Sequence, residues 1–99
     1  MKKTFRLTHE KIQPARLMEA IKNEVRKYLK RERAKALPAD ADFWDFACRY
    51  GVDAASSKSI HVAEIDVYLN QAETQKLESF YLEIIAKPGY RTAKPTSED

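Results

Sequence analysis

Residues 44–50 read WDFACRY, and this stretch decides the fold class of the chain. Its large apolar side chains stand at every second position: Trp44, Phe46, Cys48 and Tyr50. Asp45 and Arg49 lie between them, so one face of the segment is apolar and the other is polar. A period of two is typical of a β-strand with one buried face. We therefore expect a half-buried strand that ends at Gly51, with Cys48 as a small core residue.

The segment before this strand predicts an amphipathic helix. Pro14 suits the first helical position, where its missing N–H costs no hydrogen bond. From there apolar residues recur every three or four positions and form one stripe: Leu17, Met18, Ile21, Val25, Tyr28 and Leu29. Good helix formers continue to Ala36, and Pro38 prevents further helix. We expect the last two turns, residues 30–36, to protrude from the core.

Three further segments complete the predicted elements. The side chains of residues 3–8 alternate between an apolar and a polar face, which predicts a short first strand. Those of residues 80–87 also alternate between two faces, which predicts a last strand. Residues 59–64 fit either a short strand or the start of a longer helix, and the loop from Gly51 to Lys58 favours the strand. The helix that follows has its own apolar stripe: Ile65, Tyr68, Leu69 and Ala72.

The resulting order, βαββαβ, is that of the ferredoxin-like or split βαβ arrangement. This is an α+β fold in which two helices cover one face of an antiparallel sheet. We expect a single domain over residues 1–91 and a disordered, polar tail over residues 92–99. In this arrangement Tyr81 lies on an edge strand, and few aromatic side chains on the uncovered face can stack nucleic-acid bases.

Charge is distributed unevenly along the chain. Residues 1–37 contain twelve Lys or Arg and four Asp or Glu, a net charge of +8, whereas residues 38–86 have a net charge of −6. The predicted first helix carries the candidate contacts with a phosphate backbone: Lys22, Arg26, Lys27, Lys30, Arg31 and Arg33. Such contacts hold a nucleic acid without reading its bases. The alternative is an ordinary solvated helix whose Lys and Arg stems cover apolar surface.

The sequence favours a non-enzymatic function with no catalytic residues, no cofactor and no metal. The two histidines lack diagnostic ligand spacing, and two glycines cannot form a Gly-rich phosphate loop. A small enzyme that uses Asp45, Arg49 and His61 is a further alternative, which requires a pocket around them. Because no segment has the length of a membrane span or the form of a signal peptide, we expect a cytoplasmic protein without a membrane partner.

Four segments resemble a small family of uncharacterised bacterial proteins of about this length: MKKTFRLTHEKIQPARL at residues 1–17, KYLKRERAKALP at 27–38, DFWDF at 42–46 and ESFYLEIIAKPGYRT at 78–92. The resemblance covers nearly the whole chain. It implies a bacterial, cytoplasmic origin and carries no established activity.

Two functional hypotheses follow from the sequence. The first is a binding module of low specificity that contacts an RNA or DNA backbone through the basic first helix. The second is a protein–protein interaction or self-association module. In a homodimer of that kind, the +8 segment would dock on the −6 segment of a neighbour, or an exposed edge strand would pair with a partner.

Overall fold

A computed structural model describes residues 1–91 of the chain. The elements are β1 (Lys2–Arg6), α1 (Pro14–Arg33), β2 (Phe43–Gly51), β3 (Lys58–Ile60), α2 (Ile65–Thr74) and β4 (Ser79–Gly89). A single 3-10 turn, Val62–Glu64, leads into α2. The α+β class and the βαββαβ order are confirmed, and so is the short strand before α2. The predicted tail at residues 92–99 lies outside the described residues.

The four strands form one antiparallel sheet in the order β1-β4-β2-β3. The ferredoxin-like arrangement would place β4 at an edge, and this part of the prediction is wrong. β4 is a central strand, paired with β1 on one side and β2 on the other, and Tyr81 therefore has Thr4 and Gly51 as its two neighbours. The error arises because strand order depends on pairing between distant segments, which alternation within one segment does not reveal.

Both helices pack on one face of the sheet. The buried apolar side chains of the strands are those of Phe5, Phe46, Cys48, Tyr50, Ile60, Phe80, Leu82 and Ile84. From the helices, the buried apolar residues are Met18, Ile21 and Val25 of α1, and Ile65, Leu69 and Ala72 of α2. These are the apolar positions that the helix and strand periodicities predict. Phe80, Leu82 and Ile84 of β4 have no exposed surface, so this strand lies at the centre of the core.

The opposite face of the sheet has no helix over it among the described residues, and we call it the open face. It carries the odd-numbered residues of β2 and β4, because successive side chains of a strand alternate between faces. At one end of it, the loop after β2 folds back on Gly51. A Cβ added there would lie 2.6 Å from the Cα of Ser57, so this close approach requires glycine. Arg49 fixes the loop by donating to the Ser57 hydroxyl at 3.1 Å.

Truncation of the β4 core tests this architecture. We expect Leu82→Ala to lower the free energy of unfolding by about 2–5 kcal/mol, because Leu82 is fully buried and its loss leaves a cavity. Val67→Ala, at a position on α2 that is 54% exposed, is the matched control and should change that free energy by less than ~0.5 kcal/mol. Urea denaturation measures both values. Equal effects of the two substitutions would contradict the central position of β4.

Candidate nucleic-acid interface

α1 presents one long side to solvent. Its 20 residues span ~30 Å, and the side that packs on the sheet buries Met18, Ile21 and Val25. With one stripe in the core, the remaining positions of the helix face outward. The predicted contact residues lie on this outer side, toward the C-terminal end of the helix.

Five of the six predicted contact residues are exposed together. Arg26, Lys27, Lys30, Arg31 and Arg33 are all exposed, and we call these five residues the basic surface. Lys22 is different. It is half-buried, and its Nζ donates to Oδ1 of Asn70 on α2 at 2.6 Å. Lys22 therefore joins the two helices, and the structure separates it from the other five.

The basic surface consists of two rows along the helix. Arg26, Lys30 and Arg33 follow each other at spacings of four and three residues, and Lys27 and Arg31 are four residues apart. Residues at these spacings are surface neighbours with Cβ atoms ~6 Å apart. The five cations thus form one continuous patch over two turns, ~10 Å along the helix axis.

Aromatic rings support two of the guanidinium groups. Arg31 lies over the ring of Tyr28, with 5.7 Å from Cζ to the ring centroid, and Arg33 lies over Phe46 at 5.2 Å. A cation over an aromatic face is attracted by the ring quadrupole. Arg31 and Arg33 are therefore held in defined positions, while the ammonium groups of Lys27 and Lys30 form no hydrogen bond or ion pair with the described residues.

The prediction that residues 30–36 protrude from the core is wrong in part: all of them except Glu32 are exposed, but the end of the helix contacts β2. α1 ends at Arg33, and within its last turn Glu32 is buried. The indole Nε1 of Trp44, on β2, donates to the Lys35 carbonyl at 2.8 Å, just beyond the helix end. The Glu32 carboxylate forms an ion pair with the Lys35 ammonium at 2.8 Å. The end of the helix is thus packed against β2, a contact between residues nine apart that no periodicity within α1 could indicate.

Acidic side chains do not neutralise the basic surface. The ion pairs of the described residues are Lys3 with Glu24 and Lys35 with Glu32, both at 2.8 Å, and neither involves the basic surface. Three of these cations also stabilise the helix. Lys30, Arg31 and Arg33 lie in the last turn, where positive charge interacts favourably with the negative end of the helix dipole. This effect leaves their outer faces available to an anion.

The open face contains the three residues of the enzyme alternative. Asp45, Arg49 and His61 line a shallow concavity of about 490 Å³. However, His61 Nδ1 accepts the Ala63 N–H at 3.0 Å and caps the 3-10 turn, and Asp45 accepts the N–H of Phe46 at 2.8 Å. Among the described residues, no group of three or more His, Cys, Asp or Glu could hold a metal ion. These contacts give His61 and Asp45 structural roles in the fold.

Cys48 is a core residue, as its phase in β2 predicts. It is 3% exposed, and burial together with the charge of Asp45 raises the pKa of its thiol from 9.0 to about 11. A thiol with such a pKa stays protonated near neutral pH, and only the thiolate is a good nucleophile. Cys48 therefore contributes packing and not reactivity.

Comparison with protein families assigns the chain to one family. The family described as "Family of unknown function (DUF6172)" matches residues 1–96. The chain belongs to this family. Comparisons with curated proteins and with solved structures found no match. For this member of the DUF6172 family, no helix within the described residues is long and apolar enough to cross a membrane.

The contact between Trp44 and the end of α1 can be tested in this DUF6172 protein. We expect Trp44→Phe to lower the free energy of unfolding by about 1 kcal/mol, because it removes the hydrogen bond to Lys35. Amides at the end of α1 should also exchange faster with deuterium. Tyr90→Phe is the control, since exposed Tyr90 forms no side-chain hydrogen bond within the described chain. Unchanged exchange in Trp44→Phe would show that the helix end is held by other contacts.

Burial of Cys48 predicts a pH dependence. Between pH 9 and about 11 the folded thiol keeps its proton while the unfolded thiol loses it. The folded state then binds more protons, so this group makes the free energy of unfolding fall as pH rises through that range. Urea denaturation of the wild type and of Cys48→Ala across this range measures the difference. Parallel pH profiles of the two proteins would contradict the raised pKa.

Proposed function

We propose that this DUF6172 protein is a non-enzymatic, cytoplasmic binding module that contacts the backbone of RNA or DNA through the basic surface. Arg26, Lys27, Lys30, Arg31 and Arg33 are the phosphate contacts. Lys22 is not among them, because it is half-buried and its ammonium group donates to Asn70 on α2. Sequence specificity is low, since cations of this kind bind phosphates and do not read base edges.

The purely cationic character of the basic surface carries this proposal. Within the described chain, none of the exposed large apolar side chains belongs to α1. Protein interfaces need buried apolar or aromatic anchors, and membrane-surface helices need an apolar face to insert. A polyanion needs neither, because its affinity comes from charge neutralisation and counterion release.

The neighbouring helix favours one direction of approach. α2 contains Asp66 and Glu73 and no basic residue, and it lies beside α1 in the helical layer. A phosphate backbone is repelled by these carboxylates and attracted to the opposite flank of α1, where Lys27 and Arg31 lie. The backbone therefore runs along the outer side of α1 rather than across both helices.

Fluorescence anisotropy with generic single-stranded and double-stranded oligonucleotides across a salt series tests the proposal. We expect binding at low salt that weakens as salt rises. The triple variant Arg26→Gln, Lys27→Gln and Lys30→Gln should reduce the slope of log K against log salt by about 0.9 for each duplex phosphate contact that is lost. These positions spare the two arginines that pack on aromatic rings, so the fold should be retained.

A matched triple variant controls for total charge. Lys2→Gln, Arg6→Gln and Lys11→Gln removes three exposed cations outside α1, and we expect it to leave the salt slope unchanged. The proposal fails if the wild type does not bind at low salt or if both triple variants change the slope equally. Loss of self-association in the α1 variant, without oligonucleotide affinity in the wild type, would instead favour docking of the basic surface on an acidic neighbour.

A further inference from the structure

On the open face, the two central strands β2 and β4 carry four charges in an alternating pattern. Two further cations of this face, Lys2 and Arg6, lie on the edge strand β1. In the sheet, Asp45 of β2 lies directly opposite Lys87 of β4, and Arg49 of β2 lies opposite Glu83 of β4. Along each strand the sign also changes between these two levels. The four charges thus form a square in which every neighbour has the opposite sign. If the positions of β2 and β4 are exchanged, as they are in a facing copy, each charge of the square meets the opposite charge.

Side-chain size alternates on the same face. At the level between the charged pairs, Ala47 of β2 lies opposite Ile85 of β4, and at the next level beyond them Gly51 lies opposite Tyr81. Ile85 is 37% exposed although it is a large apolar residue. The concavity of about 490 Å³ surrounds Ala47, and the four charged residues of the square all contribute to its lining. A protruding apolar side chain therefore stands beside a hollow that is bordered by charges.

The four charges do not form ion pairs with each other. Within residues 1–91 none of them has an opposite charge within 4 Å, although each lies beside one on the sheet. Arg49 donates to Ser57 and Ser59, and Glu83 accepts the hydroxyl of Tyr81 at 2.7 Å. A guanidinium has five N–H donors and a carboxylate has two oxygens, so both groups retain further hydrogen-bonding capacity.

We propose that the open face binds a second copy of this chain and forms a symmetric dimer. The twofold axis is parallel to the strands and lies between the two facing sheets, above the gap between β2 and β4. It therefore places β4 of one protomer opposite β2 of its partner. Glu83 then meets Arg49 of the partner subunit, and Lys87 meets Asp45 of the partner subunit. Because the interface is isologous, each of these ion pairs occurs twice.

The same axis matches the apolar residues. Ile85 meets Ala47 of the partner subunit and enters the hollow around it. At the centre of the interface a large side chain thus faces a small residue, as interdigitating sheet faces require. Aligned sheets cross at ~30°, and the charged residues lie only ~7 Å along the strand from the central pair, so their long side chains reach their partners.

The dimer is independent of the proposed nucleic-acid contact. It consists of two sheets at the centre with a helical layer on each outer side, and both basic surfaces remain exposed there. Failure of one proposal therefore leaves the other intact. Oligonucleotide binding by the basic surface is measured by its salt slope, and dimerisation through the open face is measured by mass.

Size-exclusion chromatography with light scattering, from about 1 µM to about 1 mM protein, tests the dimer. We expect the wild type to reach the mass of two chains. Ile85→Asp should weaken dimerisation by about a hundredfold or more, because a carboxylate enters the hollow beside Asp45 of the partner subunit. Val67→Asp, at a more exposed apolar position on α2, is the control and should dimerise as the wild type does. Circular dichroism verifies that both variants are folded.

Charge reversal tests the register. Lys87→Glu alone and Asp45→Lys alone should each be monomeric, because like charges meet at two places in each homodimer. Mixing the two variants should restore a dimer, since the carboxylate introduced at position 87 of one chain faces the ammonium group introduced at position 45 of the other. The double variant Asp45→Lys with Lys87→Glu should also dimerise, and it keeps opposite charges adjacent within each sheet.

Three results would overturn this inference. They are a monomeric wild type throughout the concentration range, a dimer that tolerates Ile85→Asp, and single-reversal variants that stay monomeric when mixed although each is folded. A dimer that forms only on mixing supports the inference, because each chain still carries its single substitution. Only a contact between the two different chains can then explain the restored dimer.

Discussion

The pairing of β4 with both β1 and β2 is the constraint on which the rest of the structure depends. Three core-facing side chains of β4, Phe80, Leu82 and Ile84, are fully covered, which is true of no other strand in the described sheet. α1 connects β1 to β2, which lie on either side of β4, so the helix must cross over this strand and bury its own apolar stripe against it. The outward face of α1, and with it the basic surface, follows from that crossing.

Local periodicity is sufficient to predict the elements but not their arrangement. The alternation around Phe46 and the stripe through Ile21 each reflect one element and one buried face, and the structure has both as expected. The position of β4 depends on which distant backbone it meets, and several orders bury the same residues equally well. The packed end of α1 escapes prediction for a related reason, because Trp44 belongs to another element.

The candidate sites, like the fold, are predictable from the sequence only where they depend on neighbouring residues and not where they depend on contacts between distant segments. The cationic character of α1 can be counted from the sequence, whereas the contact that removes Lys22 from the exposed set involves Asn70, 48 residues away. On the open face, Asp45 and Lys87 are ordinary isolated charges in the sequence. Only the register between β2 and β4 places them side by side and gives the face an alternating pattern that a second copy can complement.

The central position of β4 also has a consequence for biosynthesis. β1 is made first, yet its backbone partner is the last strand, with Lys2 opposite Glu83. Until β4 has left the ribosome, the apolar faces of β1, α1 and β2 have no complete core to cover them, and their backbone edges are unpaired. Contacts that are so distant in sequence slow folding and leave nascent chains open to aggregation. Chains truncated before β4 therefore expose the apolar faces and the strand edges that β4 covers in the complete sheet.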